Sequence, residues 1–207
     1  MVDRHLFAWE YWAPRYENMI AQSFVLKPTR ELVLQRLLQV CPDARRILDV
    51  GCGIGQLDRT IVDCLPKVEV VGVDPTGPMI LRAKAQFSHP RITYLNGTVH
   101  DVPAQVPFDA VVTTHAFPYV KDPDAFLARI RDLLRPGGRL FLAQACTESR
   151  WDAAFLSLVK LVVGPAGYYA SGDIARRIQL AGLQFDGVCA VPTIPLIPSV
   201  RLLEALR

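Results

Sequence analysis

Three glycines within five positions are the part of this sequence with the clearest chemical meaning. Gly51, Gly53 and Gly55 follow an apolar run directly, in the stretch ILDVGCGIGQL at residues 47–57. Glycine permits positive φ and lets a ligand touch the main chain where a Cβ would clash. A helix predicted to begin near Gln56 would turn its free N–H groups toward this loop, which favours an anionic group there. A tight strand-to-helix turn without a ligand is the competing interpretation.

An acidic residue at a second strand end narrows the choice of ligand. Asp74 ends the run VEVVGVD about 20 residues after the loop, where a carboxylate can bind the vicinal hydroxyls of a ribose. An adenosine-bearing cofactor is therefore predicted. A nicotinamide cofactor would favour G-x-G-x-x-G, whereas this sequence has G-x-G-x-G with Gln56 at the position of the third glycine. This difference argues against a dehydrogenase.

Short apolar runs alternate with amphipathic stretches along the chain. Five runs have the composition of buried strands and are bounded by Gly, Pro or Asn: residues 46–50, 68–74, 91–96, 108–114 and 138–145. Residues 29–40 and 123–134 carry apolar side chains at helical spacing, and the sequence RPGG ends the second stretch. Alternating strands and helices favour parallel pairs with right-handed crossovers, so we predict a doubly wound α/β sheet.

The ends of these strands bring polar residues to one edge of the predicted sheet. In doubly wound sheets, ligands bind beyond the carboxyl ends of the strands, where the strand order reverses. The glycine loop, Asp74, the segment NGT at 96–98 and the pair TH at 114–115 each follow a different strand. We therefore expect four loops from distant parts of the sequence to converge on one ligand site.

Composition and charge argue against several other classes of protein. The 207 residues suffice for one domain with a sizeable core, and 51% hydrophobic with 21% charged residues is typical of a globular chain. A net charge of +3 without a stripe of Lys and Arg argues against nucleic-acid binding. The longest apolar run, residues 154–164, contains Lys160 and is too short for an integral membrane span. Five scattered cysteines and the lack of a signal peptide indicate reduced thiols and a cytoplasmic location.

Five motifs follow one another in a characteristic order over roughly residues 46–145. They are LDVGCGIGQL, VVGVDPTGPMILRAKA, NGTVHDVP, FDAVVTTHAFPYVKDP and IRDLLRPGGRLFLA. In this order they resemble class I S-adenosylmethionine-dependent methyltransferases of the small-molecule type, which include quinone-biosynthesis enzymes. The resemblance implies a mostly parallel, seven-stranded Rossmann-like sheet with helices on both faces, and S-adenosyl-L-methionine as cofactor. It also implies one domain over 1–207, with an N-terminal helical lid and first helix (1–45), a cofactor-binding core (46–145) and a helical insert over the pocket (146–170).

The resemblance assigns the polar part of the cofactor to the first two strand ends and the fourth. Gly51 and Gly53 would lie against its methionine part, with the backbone of Cys52 nearby. Asp74 would hold the ribose. His115 stands where the family places a residue near the methionine amino group, often through its backbone.

The adenine and the covering helix are assigned in the same way. Pro75 and Met79 would flank the adenine, although Met79 could equally be a core residue. Thr98 and Val99 fill the position that meets the adenine edge in the family. Tyr16 resembles the aromatic residue of an N-terminal helix that closes over the cofactor.

Two residues after the fourth strand are candidates for the catalytic step, His115 and Tyr119. A histidine there could act as a general base, because its ordinary pKa lies near neutrality; a hydrogen-bonded loop histidine is an equally open interpretation. Displacement at the methyl carbon of a sulfonium depends mainly on alignment, so a base helps only acceptors that must lose a proton. Nothing in the sequence marks a metal site.

The sequence defines the acceptor less closely than the cofactor. The apolar insert at 149–170 could roof a pocket for a lipophilic or aromatic small molecule, although an ordinary core helix is the alternative. Aromatic residues near the N-terminus could belong to the same roof: Phe7, Trp9, Tyr11, Trp12 and Tyr16. We predict methyl transfer from S-adenosylmethionine to a small-molecule acceptor. The alternative is a catalytically silent S-adenosylmethionine-binding partner or regulatory protein.

The C-terminal tail departs from the family pattern, in which two antiparallel strands end the sheet. Pro192, Pro195 and Pro198 disfavour a central ladder strand in this tail. The last edge of the sheet, and any dimer contact made there, is consequently in doubt, and the sequence leaves the oligomeric state open, a homodimer included.

Overall fold

A seven-stranded sheet forms the centre of the computed structural model, which describes residues 9–11, 13–18, 20–194 and 196–207. The strand order is β3-β2-β1-β4-β5-β7-β6. Strands β1 to β5 pair in parallel, and β7 is antiparallel to both β5 and β6. The predicted doubly wound, mostly parallel sheet is confirmed. The strands are β1 Arg46–Val50, β2 Glu69–Asp74, β3 Ile92–Asn96, β4 Phe108–Thr114, β5 Leu134–Ala145, β6 Gln184–Ala190 and β7 Val200–Leu206.

Helices cover both faces of the sheet, as predicted. They are α1 Lys27–Val40, α2 Gln56–Cys64, α3 Gly77–Gln86, α4 Pro123–Leu133, α5 Arg150–Val163 and α6 Ser171–Leu180. One buried cluster joins α4 and α6 to one face through Leu127, Ile130 and Ile178. A second joins α1 and α2 to the other face through Leu37 and Ile61. Because each helix buries one apolar stripe, the sheet lies between two layers.

The C-terminal tail corrects the expectation drawn from its prolines. Strands β6 and β7 do form the terminal antiparallel pair, and β7 lies inside the sheet between β5 and β6. Pro192 and Pro198 lie in the connection between these strands, where no ladder N–H is required, and Pro195 lies outside the described residues. The run after the last proline, VRLLEAL, has the apolar composition of a buried strand, and Leu202 and Leu203 are fully buried.

The boundary between α4 and β5 also differs slightly from the prediction. Helix α4 begins as expected, with the Asp122 carboxylate accepting hydrogen bonds from the N–H groups of Asp124 (3.2 Å) and Ala125 (3.0 Å). Strand β5, however, begins at Leu134 rather than at 138, because Leu134 pairs with Phe108 of β4 before the strand bulges. The RPGG sequence therefore ends the helix but lies within a strand.

Three further findings bear on function. Among the described residues, no helix is both long enough and apolar enough to cross a bilayer. All five cysteines are free thiols. Within the same part of the chain, no group of three or more His, Cys, Asp or Glu side chains is arranged to hold a metal ion.

Candidate active site

The glycine loop after β1 has the backbone conformation that its sequence predicts. Gly51, Gly53 and Gly55 have φ values of 79°, 55° and 82°. A Cβ placed on Gly51 would lie 2.3 Å from the Cβ of Ala116, which follows β4. The N–H of Gly51 donates to the carbonyl of Val73 in β2 at 2.8 Å. Glycine is thus required here by both the turn and the close approach of a neighbouring loop.

The loop borders a cavity of about 440 Å³ at the carboxyl ends of β1, β2 and β4. The predicted convergence of four loops is confirmed, since Gly51, Asp74, Thr98 and Thr114 all line it. Of the predicted site residues, all except Cys52 line this cavity: Tyr16, Gly51, Gly53, Asp74, Pro75, Met79, Thr98, Val99, His115 and Tyr119.

Asp74 is fixed at the end of β2 by main-chain donors. Its Oδ2 accepts a hydrogen bond from the N–H of Gly53 at 3.0 Å, and its Oδ1 accepts one from the N–H of Thr76 at 2.8 Å. Each carboxylate oxygen has a second lone pair, so Asp74 can still accept hydrogen bonds from two hydroxyl groups. Burial raises the pKa of this carboxyl, and the two backbone donors oppose the rise.

The opposite wall of the cavity is mainly apolar. Met79 and Val99 are 3% and 2% exposed and present thioether and methyl groups, while Pro75 is exposed at the rim. Thr98 holds this wall in place: its hydroxyl accepts from the N–H of His100 at 3.3 Å and donates to Asp101 at 2.8 Å. Such a surface suits the flat, weakly polar face of a nucleobase.

Two aromatic residues of the N-terminal segment, Trp9 and Tyr16, line the cavity. Tyr16 lies in a short 3-10 helix, Ala13–Asn18, and burial raises its pKa to about 12. The Trp9 ring packs edge-on against Tyr16 (centroids 6.4 Å apart) and against Tyr119 (5.5 Å). Tyr11 is exposed. The other two aromatics named in this segment, Phe7 and Trp12, lie outside the described residues.

His115 is half-buried and has an unusual backbone, with φ at 56°. Its Nε2 lies 3.0 Å from the Oγ1 of Thr29, whose own hydroxyl proton is donated to the carbonyl of Val25 at 2.7 Å. The Thr29 oxygen is therefore the acceptor, and Nε2 carries the proton of a neutral imidazole. Burial, and then the charge of Arg30, lower the pKa of His115 to about 4. A base this weak is poorly suited to remove a proton from an acceptor.

Tyr119 lines the cavity and is linked to the insert after β5. Its hydroxyl forms a hydrogen bond with that of Tyr168, and burial raises the pKa of both groups. The N–H of Gly167 donates to the carbonyl of Pro118 at 2.6 Å, which fixes this segment beside Tyr119. Among the described residues, none of the insert lines the cavity, and residues 167–168 contact the site only through Pro118 and Tyr119.

Cys52 borders a second, smaller cavity on the other side of the glycine loop. Arg30, Asp49, Tyr16 and His115 border it too. Burial raises the pKa of the Cys52 thiol, with neighbouring carboxylates adding to the rise, so the thiol stays protonated and unreactive. This fits the expectation that the backbone of Cys52, rather than its sulfur, matters.

Two buried carboxyl groups lie beneath the glycine loop. Asp49 of β1 is 1% exposed, and Asp58 in the first turn of α2 is 0% exposed. As carboxylates, Asp49 Oδ1 and both Asp58 oxygens would have no hydrogen-bond donor among the described residues. A proton on one side chain creates a hydrogen bond between the two. Burial raises the pKa of Asp49 to about 7, and burial together with Asp49 raises that of Asp58 well above its ordinary value.

Sequence reasoning missed three of these residues: Asp49, Asp58 and Arg30. Asp58 lies among the buried positions Leu57, Ile61 and Val62 of α2, so a charged residue within an apolar helical stripe was the available signal. Arg30 is half-buried and donates to Gln22 at 3.1 Å. Nothing in the sequence distinguishes it from the other cations of α1.

Comparison with known proteins places this arrangement in a family. A family model described as a methyltransferase domain matches residues 47–138. A ubiquinone biosynthesis O-methyltransferase of Xanthomonas axonopodis pv. citri is 31% identical over 177 residues, which cover 79% of this chain and 72% of that protein. An uncharacterized protein in transposon Tn4556 of Streptomyces fradiae is 32% identical over 198 residues, covering 89% of this chain and 54% of that protein. The chain thus spans between about half and three quarters of these relatives.

Solved structures share the fold at lower sequence identity. A chain of the complex between the Haloferax volcanii Trm112 methyltransferase activator and a putative methyltransferase matches with a TM-score of 0.80 and 18% identity over 96% of both chains. The N-methyltransferase NodS of Bradyrhizobium japonicum, solved with S-adenosyl-L-homocysteine, matches with a TM-score of 0.80 and 15% identity over 99% of both chains. The relative of 31% identity, which this chain covers to 72% of its length, and the match to the methyltransferase-domain family show that the chain belongs to the class I S-adenosylmethionine-dependent methyltransferases.

Proposed function

We propose that this chain transfers the methyl group of S-adenosylmethionine to an apolar or aromatic small molecule. The observation that carries the proposal is the continuity of one cavity. Its wall runs from the glycine loop and Asp74 to the side chains of Trp9, Tyr119 and Phe126. Cofactor and acceptor can therefore occupy adjoining parts of one cavity, as a direct methyl transfer requires.

The residues present fit the cofactor of the family. Asp74 offers carboxylate oxygens for ribose hydroxyls, and Met79 and Val99 offer apolar surface for adenine. The smaller cavity, of about 20 Å³, is bordered by Arg30 and Asp49 and has room for one group the size of a water molecule, such as an ammonium beside the Asp49 carboxyl. S-adenosylmethionine supplies an activated methyl group, so the protein's contribution is to orient and enclose the reactants.

The protonation states in the cavity restrict the acceptor. His115 is neutral with a pKa near 4, and the raised pKa of Tyr119 keeps its hydroxyl protonated. Neither group readily accepts a proton from an acceptor at neutral pH. The best acceptors are therefore nucleophilic without a base: a neutral amine, a thiolate or an acidic phenol. Aligning such a group with the methyl carbon can contribute roughly 7–11 kcal/mol to barrier lowering.

Two measurements, made one after the other, test the proposal. Isothermal titration should show that S-adenosylhomocysteine binds and that NADH does not. Tight binding of NADH alone would refute the assignment of S-adenosylmethionine as the cofactor. The protein is then incubated with methyl-labelled S-adenosylmethionine and with apolar and polar fractions of host metabolites. Label should appear in the apolar fraction. Label in the polar fraction alone would refute the acceptor class, and cofactor binding without any labelled product would favour the catalytically silent alternative.

A further inference from the structure

The Asp49–Asp58 pair places two acids in a space that water does not reach. Asp49 comes from β1 and Asp58 from the helix after the glycine loop, so their carboxyl groups meet directly under that loop. A Cβ placed on Gly72 of β2 would lie 2.6 Å from Asp58 Oδ2. The Asp58 carboxyl is thus packed against the main chain of β2, and two carboxylates there would repel one another at low dielectric.

The groups around the pair do not balance two negative charges. Arg30 is the cation that acts on Asp49, and Asp74 adds further negative potential. Cys52 and Tyr94 are neutral groups whose own pKa values are raised by burial and then by the pair. Among the described residues, the ionisable groups that interact with the pair or border the smaller cavity are, by element, Arg30 of α1, Cys52 of the glycine loop, Asp74 of β2, Tyr94 of β3, Tyr16 of the N-terminal segment and His115 after β4.

We infer that Asp58 is a positioning residue for Asp49, that the cofactor-free protein holds two protons on this pair at slightly acidic pH, and that cofactor binding releases one of them. The inference rests on the proposed cofactor site. Asp49 borders the smaller cavity, and an ammonium group there favours the carboxylate form of Asp49. The O–H bond of Asp49 breaks and its proton passes to the solvent. Asp58 keeps its proton and donates it as a hydrogen bond to the new carboxylate.

Proton release fixes the sign of the pH dependence. Affinity rises with pH until the cofactor-free pair has lost its first proton, and it levels off above that point. Because burial raises the pKa of Asp49 to about 7, binding should release close to one proton at pH 6 and roughly half a proton at pH 7. Affinity should rise about eightfold between pH 5.5 and 6.5.

Calorimetry with S-adenosylhomocysteine measures this release directly. The binding enthalpy is recorded at pH 6, 7 and 8 in buffers of different ionisation enthalpy, and its slope gives the number of protons released. Infrared difference spectra of the wild-type protein, with and without ligand, provide a second readout. The carbonyl band of one protonated carboxyl group should disappear on binding at pH 6. This readout needs no variant and no acceptor.

Variants assign the proton to the pair. Asp49→Asn should bind the ligand more weakly and release no proton, and Asp58→Ala, which removes the hydrogen-bond donor, should move proton release to higher pH. Asp63→Asn is the matched control, because Asp63 is exposed on the same helix and pairs with Arg59; it should behave as the wild type. His100 also lines the main cavity, so loss of release in His100→Asn would overturn the inference.

The two proposals fail in different ways. If S-adenosylhomocysteine binds without proton release at pH 6 and without loss of the infrared band, the inference is wrong and the cofactor site stands. If release persists in Asp49→Asn, the inference is wrong as well. If the ligand does not bind at any pH, the proposed function itself is wrong.

Discussion

Replacing Gly51 with alanine should both destabilise the fold and displace the glycine loop from its position beside the cofactor site. At a φ of 79°, alanine costs about 1–2 kcal/mol. Its Cβ would lie 2.3 Å from the Cβ of Ala116, whereas carbon atoms in contact are about 3.5–4.0 Å apart. The two loops must therefore separate, and overpacking of this kind costs about 1–3 kcal/mol. We expect a total loss of about 2–5 kcal/mol in the free energy of unfolding.

Gly137 provides the matched control for this change. Its φ is 74°, but a Cβ placed there would have no atom within 4 Å. Gly137→Ala should therefore show the conformational cost alone, about 1–2 kcal/mol. Adding Ala116→Gly to Gly51→Ala removes the clashing methyl group and should restore about 1–3 kcal/mol. The single Ala116→Gly variant completes the double-mutant cycle.

Urea unfolding at constant m-value measures these differences, and titration with S-adenosylhomocysteine follows the site. Gly51→Ala should lose cofactor affinity, the double variant should recover part of it, and Gly137→Ala should bind as the wild type does. The reasoning is refuted if the two glycine variants are equally destabilised, or if Ala116→Gly brings no rescue. Either result would mean that the close approach of the two loops is not a constraint.

Three further changes test the remaining features of the site. Asp74→Asn should weaken S-adenosylhomocysteine binding by about 10–100-fold in calorimetry, because charge-assisted bonds to ribose hydroxyls are lost; an unchanged affinity would remove Asp74 from the site. His115 has a folded pKa of about 4, below its unfolded value, so its stability contribution is present above pH 6.5 and lost as the pH falls toward 4. Relative to His115→Gln, the wild type should lose about 3 kcal/mol over that range in urea unfolding, and parallel pH profiles would contradict this. Burial raises the folded pKa of Asp58, so Asp58→Asn should gain stability over the wild type as the pH rises above the ordinary Asp pKa of about 4, by at most about 1.4 kcal/mol per pH unit; an advantage that did not change with pH would argue against a buried acid.

The parallel part of the fold could be predicted closely because its signals are local. Strands β1 and β4 match the apolar runs 46–50 and 108–114 to the residue, since strands buried on both faces need continuous apolar side chains. The glycine loop and Asp74 could be predicted for the same reason, because neighbouring residues in the sequence determine where a turn forms and where a strand ends. The predicted division into lid, core and insert stays a prediction.

The features that were missed depend on partners far away in the sequence. Strand β5 begins early because Leu134 meets Phe108, which no local pattern reveals. Strand β7 lies inside the sheet, where its Glu204 pairs with a residue distant in the sequence, Arg36 of α1, with Arg36 Nε 2.6 Å from Glu204 Oε1. A proline disfavours a strand only at the position that it occupies, so the prolines of the tail do not argue against a strand over Val200–Leu206.

The pH dependence of stability can distinguish a structural role of the buried acid pair from a functional role. If Asp49 and Asp58 existed to stabilise the fold, replacing Asp58 with an amide of the same shape would weaken the protein at every pH. Because Asp49 Oδ1 and both Asp58 oxygens have no hydrogen-bond donor among the described residues, the pair is instead kept protonated against the ordinary tendency of a carboxyl group, which lowers stability as the pH rises. A protein retains such a cost where the site uses it. Loss of the Asp58 acid should therefore favour stability but disfavour cofactor binding. Asp58→Asn should give a more stable protein above pH 7. Asp58→Ala, which removes the hydrogen-bond donor, should make Asp49 harder to ionise when the cofactor binds.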